Sequence, residues 1–142
     1  MTVDAETLRV RQNQLLSPKL RDIGALVFGA GMTGSWVVLG LARMLKRVDV
    51  WDFDRVSEEN LGTQAYTADD ADIDMLKTDA LVGICDGLPV YGHAEPAPPE
   101  DWRVDRRHSL DTEVSVVVCC VDTIEGRREC AEWAQAEKVP LF

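Results

Sequence analysis

The chain has 142 residues, 46% of them hydrophobic, enough for one core of ordinary size and too few for a second independent domain. Fifteen basic against twenty-five acidic residues give a formal charge of -10, which repels phosphate backbones and argues against nucleic acid as a partner. The longest apolar runs, Trp36 to Ala42 and Val114 to Val121, fall short of the roughly 20 residues that span a bilayer, and Met1 to Arg9 lacks the apolar core of a secretory signal, so a cytoplasmic protein is expected.

Taken in order, the pattern alternates short β-like runs with longer helical stretches, the signature of parallel strands joined by crossover helices. A first helix is expected over Glu6 to Leu16, ending before Ser17-Pro18 because proline disfavours the helical region for its predecessor. Ala25 to Phe28 reads as strand one. Thr33 to Leu45 reads as a helix so apolar that it should keep little solvent face. Val48 to Trp51 is strand two. Ile73, Leu76, Ala80, Leu81 and Ile84 recur at helical spacing behind Asp69, Asp70 and Asp72, acids suited to the positive end of a helix. Leu88 to Ala94 is a candidate third strand, and the proline-rich stretch Glu95 to Arg107 an irregular connection. Val114 to Val121 is a continuous apolar run, as expected in the middle of a parallel sheet. A helix over Glu125 to Glu137 then leads to Val139-Pro140-Leu141-Phe142, the start of a fifth strand. Cys85, Cys119, Cys120 and Cys130 have no zinc-ligand spacing and read as reduced thiols in packing roles, as Trp36, Trp51, Trp102 and Trp133 read as packing residues.

Gly29-Ala30-Gly31-Met32-Thr33-Gly34 falls between a predicted strand and a predicted helix, the context in which G-x-G-x-x-G carries meaning. Gly29 suits a tight turn, Gly31 a close backbone approach to phosphate, and Gly34 close packing of helix on strand. Asp52 closes strand two, where a carboxylate can accept hydrogen bonds from ribose hydroxyls, and Asp54 follows two residues later. These features predict an α/β, Rossmann-like, mainly parallel sheet with helices on both faces. They suit NAD, FAD or ATP alike.

The next segment separates those ligands. Asp52-Phe53-Asp54-Arg55-Val56-Ser57-Glu58-Glu59-Asn60-Leu61-Gly62-Thr63-Gln64 resembles the D-x-D-x-V-x-x-x-N-L-x-R-Q signature of the ThiF/MoeB/HesA-type adenylating family, relatives of ubiquitin-activating enzymes. Arg11-Gln12, Lys77, Asp122 and Arg127 also resemble family positions in order. The resemblance runs from about Arg9 to Phe142, roughly the N-terminal half of a family member, so the chain reads as a single adenylation domain over 1–142, cut short after its fifth strand.

The resemblance implies ATP-dependent adenylation of a carboxylate, the C-terminal glycine of a ubiquitin-like or sulfur-carrier protein. It implies that Gly29, Gly31, Gly34, Asp52 and Asp54 hold ATP, that Asn60 and Lys77 contact its phosphates, and that Asp122 binds Mg²⁺. It also implies that Arg11 acts in trans across a homodimer or a heteromeric pair. Taken singly, each has a plain structural alternative: Lys77 as a solvated helix residue, Asp122 as a helix cap, Asn60 as an Asx-turn, Arg11 as an exposed helix residue. Thr63 stands where the family has arginine, which keeps open a non-catalytic, nucleotide-binding partner subunit. An NAD-dependent oxidoreductase fragment is a further alternative, against which Asn60 to Gln64 speaks.

Overall fold

A computed structural model describes Thr7, residues 10–100 and residues 113–142. The expected first helix is described only in part, as the single turn α1 (Gln12–Leu15), followed by a 3-10 turn at Pro18–Arg21. Strands β1 (Ile23–Phe28), β2 (Arg47–Trp51), β3 (Val90–His93) and β4 (Glu113–Cys119) form one sheet of order β3-β2-β1-β4. Every pairing is parallel. Helix α2 (Met32–Leu41) crosses from β1 to β2, α3 (Ala68–Asp72) and α4 (Lys77–Ile84) lie between β2 and β3, and α5 (Ile124–Ala136) follows β4.

The two-residue period of β1 sorts its side chains onto two cores. Ala25 and Val27 face one core with Val38 of α2 and Ala80 and Leu81 of α4. Leu26 and Phe28 face the other with Cys130 and Ala134 of α5. Helices therefore cover both faces, as the alternating pattern predicted. Phe28 meets Trp51 and Trp133 edge-on, with centroids 5.7 and 5.3 Å away, which fixes the second core at the carboxyl ends of the strands.

Four expectations are corrected. The span Ile73 to Ile84 is not one helix: α3 and α4 are separated at Asp74, whose φ of 51° lies in the left-handed region, and Ile73 is solvent-exposed. Thr67, not the aspartates, caps α3, through a capping box with Asp70. Helix α2 does keep a solvent face: Gly34, Ser35 and Val38 are buried, while Met32 and Trp36 are more than half exposed. Strand β4 is not the most enclosed strand; it flanks β1 on the outer side of the described sheet, and only Val117 is fully buried along it. The central strand is β1, buried throughout Gly24 to Phe28.

The expected fifth strand appears as a single parallel bridge between Val116 and Leu141. Val117 N–H donates to Leu141 O at 2.9 Å and Leu141 N–H to Ser115 O at 3.1 Å. Trp102 and most of the proline-rich connection lie outside the described residues. Among the described residues no helix is long and apolar enough to cross a membrane.

Candidate functional site

The strand order turns back between β1 and β4, and in open parallel sheets a ligand crevice lies at such a reversal, beyond the carboxyl ends of the strands. A cleft of about 630 Å³ opens there. Its floor is the glycine loop, one wall is Asp52 to Asp54 with Lys77 and Gln64, and the other is Cys120 to Thr123 with the first turns of α5.

At Gly29 and Gly34 the backbone requires glycine, for the turn and for the close packing that their positions predicted. Gly29 has a φ of 95°, and a Cβ there would lie 2.8 Å from the Cys120 carbonyl oxygen, so the turn and the β4 contact both require glycine. A Cβ at Gly34 would lie 1.8 Å from the Gly29 carbonyl oxygen, which only glycine avoids. A Cβ at Gly31 would meet no protein atom within 4 Å: the residue lines the cleft, and its backbone is open to whatever enters. The first N–H groups of α2 have no partner within the helix, and they give this end its partial positive charge.

Asp52 holds the loop as well as facing the cleft. One carboxylate oxygen accepts from the Ala30 N–H at 2.7 Å and the other from the Asp54 N–H at 2.8 Å. Each oxygen retains a lone pair, so two acceptor sites remain for a ligand. Tyr66, buried beneath the loop, donates its hydroxyl to the Ala30 carbonyl at 2.5 Å. Burial first, then the charges of Asp52, Asp70 and Asp54, push the Tyr66 hydroxyl far above its ordinary ionisation range, so it remains a donor.

Lys77 is not a solvated helix residue. It is buried, and its ammonium sits 3.1 Å from Asp54 Oδ2. Its backbone N–H donates to the Asp54 carbonyl, Val56 N–H donates to the Met75 carbonyl, and Arg55 and Leu76 form an antiparallel bridge. This short clasp places Lys77 at the cleft beside Asp54, and it is why Asp54 faces a lysine as well as the cleft.

Asp122 and Arg127 lie on the opposite wall, where Arg127 Nε donates to the Val121 carbonyl at 2.9 Å and Thr123 caps α5 by accepting from Gly126 N–H at 3.1 Å. The cleft therefore gathers Gly29, Gly31, Asp52, Asp54, Lys77, Asp122 and Arg127. It does not gather Asn60, whose Oδ1 accepts from Ser57 N–H at 3.1 Å and closes the cap of the 3-10 turn Glu58–Asn60. Thr63 and Arg11 are exposed and lie off the cleft. Gln64, Glu125 and Glu129 line it without having been singled out from the sequence, where the sole signal was the place of Gln64 at the end of the Asn60 to Gln64 pattern.

Five carboxylates and two cations line the cleft, and both cations already have protein partners. A polyanionic ligand therefore needs additional positive charge. Among the described residues no group of three or more His, Cys, Asp or Glu could hold a metal ion by itself. Cys120 reaches the cleft, but burial, and secondarily neighbouring Cys119, raises its thiol above the ordinary range. Cys130 is pushed up to about 12 by burial and by Cys119, so it too stays protonated.

The family model described as the ThiF family matches residues 9–142. None of the curated proteins matches the chain. Among solved structures, E. coli tRNA N6-threonylcarbamoyladenosine dehydratase, TcdA, in complex with ATP superposes with a TM-score of 0.78 at 20% identity, over 99% of this chain and 60% of TcdA. Its complex with AMP also gives a TM-score of 0.78 at 20% identity, over 99% of this chain and 59% of that one. E. coli MccB with MccA superposes with a TM-score of 0.67 at 19% identity, over 87% of this chain and 36% of MccB. At these identities the likeness is one of fold, and the chain spans about 60% of the length of TcdA and less of MccB.

Proposed function

We propose, from the premise that the chain belongs to the ThiF family, that it binds ATP with Mg²⁺ and forms the nucleotide half of an enzyme that adenylates a carboxylate. The observation that carries this is the convergence of Gly31, Asp52, Lys77 and Asp122 on one cleft. Asp52 offers two acceptor sites to the ribose hydroxyls, the open backbone of Gly31 and the start of α2 receive phosphate, and Lys77 adds positive charge. Asp122 would hold the metal, which when bound neutralises charge on the phosphates.

In the reaction a carboxylate oxygen bonds to the α-phosphorus, the bond to the bridging oxygen breaks, and pyrophosphate leaves with the electron pair. The nucleophile is already ionised at neutral pH, so the work is positioning and charge neutralisation. Burial, which raises the thiols of Cys120 and Cys130, argues against either as the carrier of a further thioester step. Binding of ATP is supported by the TcdA structures solved with ATP and AMP. A partner seated on the site is supported by MccB solved together with MccA. For this chain the partner is the C-terminal tail of a ubiquitin-like or sulfur-carrier protein. Arg11, exposed and remote from its own cleft, acts on the cleft of a second subunit in a homodimer or heteromeric pair.

A second reading, a non-catalytic nucleotide-binding partner subunit, is favoured by Thr63, which stands at the family's arginine position and lies off the cleft. Loss of one charge-assisted contact to a developing charge costs about 3 kcal/mol, or about a hundredfold in rate. ATP–pyrophosphate exchange with candidate carrier proteins separates the two. Adenylation predicts exchange that Asp122→Ala abolishes, Lys77→Ala reduces and Thr63→Arg raises. Absence of exchange in both wild type and Thr63→Arg, at saturating ATP and Mg²⁺, leaves the partner-subunit reading.

A further inference from the structure

The loop after the Glu58–Asn60 turn is fastened to the start of α2 at three successive points. Trp36 Nε1 donates to the Thr63 carbonyl at 3.0 Å, Ala65 N–H donates to Ser35 Oγ at 3.2 Å, and Tyr66 donates to the Ala30 carbonyl at 2.5 Å. Gln64 sits between the first two fastenings, and its own N–H donates to the Asn60 carbonyl at 2.9 Å. Its backbone is therefore held on both sides, and its side chain lines the cleft. Within that cleft Gln64 Oε1 is buried and has no hydrogen-bond partner among the described residues. A buried polar atom in a folded protein nearly always has a partner, so an orphan at a ligand cleft marks a contact that the ligand completes.

We propose that Gln64 is a binding residue of this cleft, its carboxamide donating a hydrogen bond to the phosphate end of the bound nucleotide. The ends of a carboxamide exchange places by a half-turn about its last bond, so the same site presents an oxygen to a donor or an NH₂ to an acceptor. The surroundings select the second. Gln64 is fastened beside the positive end of α2 and shares its wall with the Lys77 ammonium, and both favour an anion, whose oxygens only accept. The residue is neutral, so it adds a donor without the desolvation cost of burying another charge beside Lys77. Within the Asn60 to Gln64 segment it is Gln64, and not Asn60, whose side chain lines the cleft.

The inference rests on the proposed binding of ATP, and the experiment separates the two. Calorimetric titration of wild type, Gln64→Ala and Gln64→Glu is run with ATP at saturating Mg²⁺ and, separately, with adenosine. Removing a donor to a charged group should weaken ATP about tenfold in Gln64→Ala. Gln64→Glu, nearly the same shape but unable to donate when ionised and repelling phosphate, should weaken ATP by about a hundredfold. Adenosine, which has no phosphate, should bind all three within about twofold, which also reports that the variants keep their fold. Gln64→Glu binding ATP as tightly as wild type overturns the inference, because the site would then be accepting a hydrogen bond. Equal losses for adenosine and ATP overturn it too, by placing Gln64 at the nucleoside. Failure of wild type to bind ATP at all sinks the nucleotide reading itself, and Gln64 with it.

Discussion

Replacing Gly31 by alanine separates binding from folding more cleanly than any other change in the glycine loop. The new methyl meets no protein atom within 4 Å, so no clash is introduced. Restricting the unfolded chain stabilises by about 0.4–1 kcal/mol. Against it, alanine is a poorer N-cap than glycine, and the backbone here, with φ -76° and ψ -149°, suits glycine better. The net change should be a loss of about 1 kcal/mol, a fall of about 4 °C in Tm. The methyl does occupy the space over the loop through which a phosphate approaches, and displacing the anion from one or two backbone N–H groups costs about 1.5–3 kcal/mol each. Thermal melting and calorimetry on the same samples should therefore show a melt lowered only slightly with ATP binding weakened at least about tenfold. Gly34→Ala is the contrast: its methyl would lie 1.8 Å from the Gly29 carbonyl oxygen, so the loop must shift and the melt should fall by about 3 kcal/mol of stability or more. The reasoning is refuted if Gly31→Ala binds ATP like wild type, or if Gly34→Ala melts with it.

Asp52→Ala removes both the ribose acceptor and the bond to Ala30 N–H, and calorimetry should show ATP weakened by about 1.5–3 kcal/mol, with NAD binding weaker than ATP in wild type. Asp49 is buried between Arg47 and His93; burial raises its pKa, but the hydrogen bonds and charges of these two partners outweigh burial and lower it overall. Its folded pKa thus lies below its unfolded value, so its stabilisation is present above the unfolded pKa and is lost as pH falls through the folded one. Asp49→Asn should lose about 3 kcal/mol at neutral pH and show a shallower loss of Tm below about pH 4, read by melts across pH. Tyr66→Phe leaves the Ala30 carbonyl without its donor and should cost about 1 kcal/mol in chemical denaturation. Leu141, Phe142, Met32 and Trp36 are all more than half exposed, which supports association with a second subunit; a clean monomer by sedimentation at high micromolar concentration counts against it.

What could be read from the sequence was whatever local chemistry decides. The β1 and β4 strands are largely apolar runs and β2 carries Val48, Val50 and Trp51, enough for each to announce itself, and the glycine loop's geometry follows from which positions can lack a side chain. What could not be read depended on tertiary context. The break at Asp74 leaves the helical spacing of Ile73 to Ile84 intact, so periodicity alone joins two helices into one. The apolar run Val114 to Val121 states that the strand is covered but not where it stands in the sheet order. Taken singly, Lys77 reads as a solvated helix residue because its partner, Asp54, lies 23 residues away. Gln64 carried no signal beyond its place in the pattern, since the fastenings that present it come from Ser35 and Trp36.

The clasp between Asp54–Val56 and Met75–Lys77 has a bearing on how the chain tolerates change. It brings the two ends of residues 57–74 together, a loop fastened besides only at Thr63 to Tyr66 by hydrogen bonds and packed on the first core through Leu61, Tyr66 and Ala71, so the separation of Asp52 from Lys77 is set by the clasp and not by the length of chain between them. Doubling a flexible loop costs only about 0.6 kcal/mol in closure entropy. Residues inserted at Asp72 or Ile73, both exposed and lying between the fastenings of Thr63 to Tyr66 and the clasp, would therefore lengthen the loop while leaving both ends of the nucleotide cleft in register. That exposed stretch is where a tag or reporter domain can be spliced into the chain without moving the residues proposed to hold ATP.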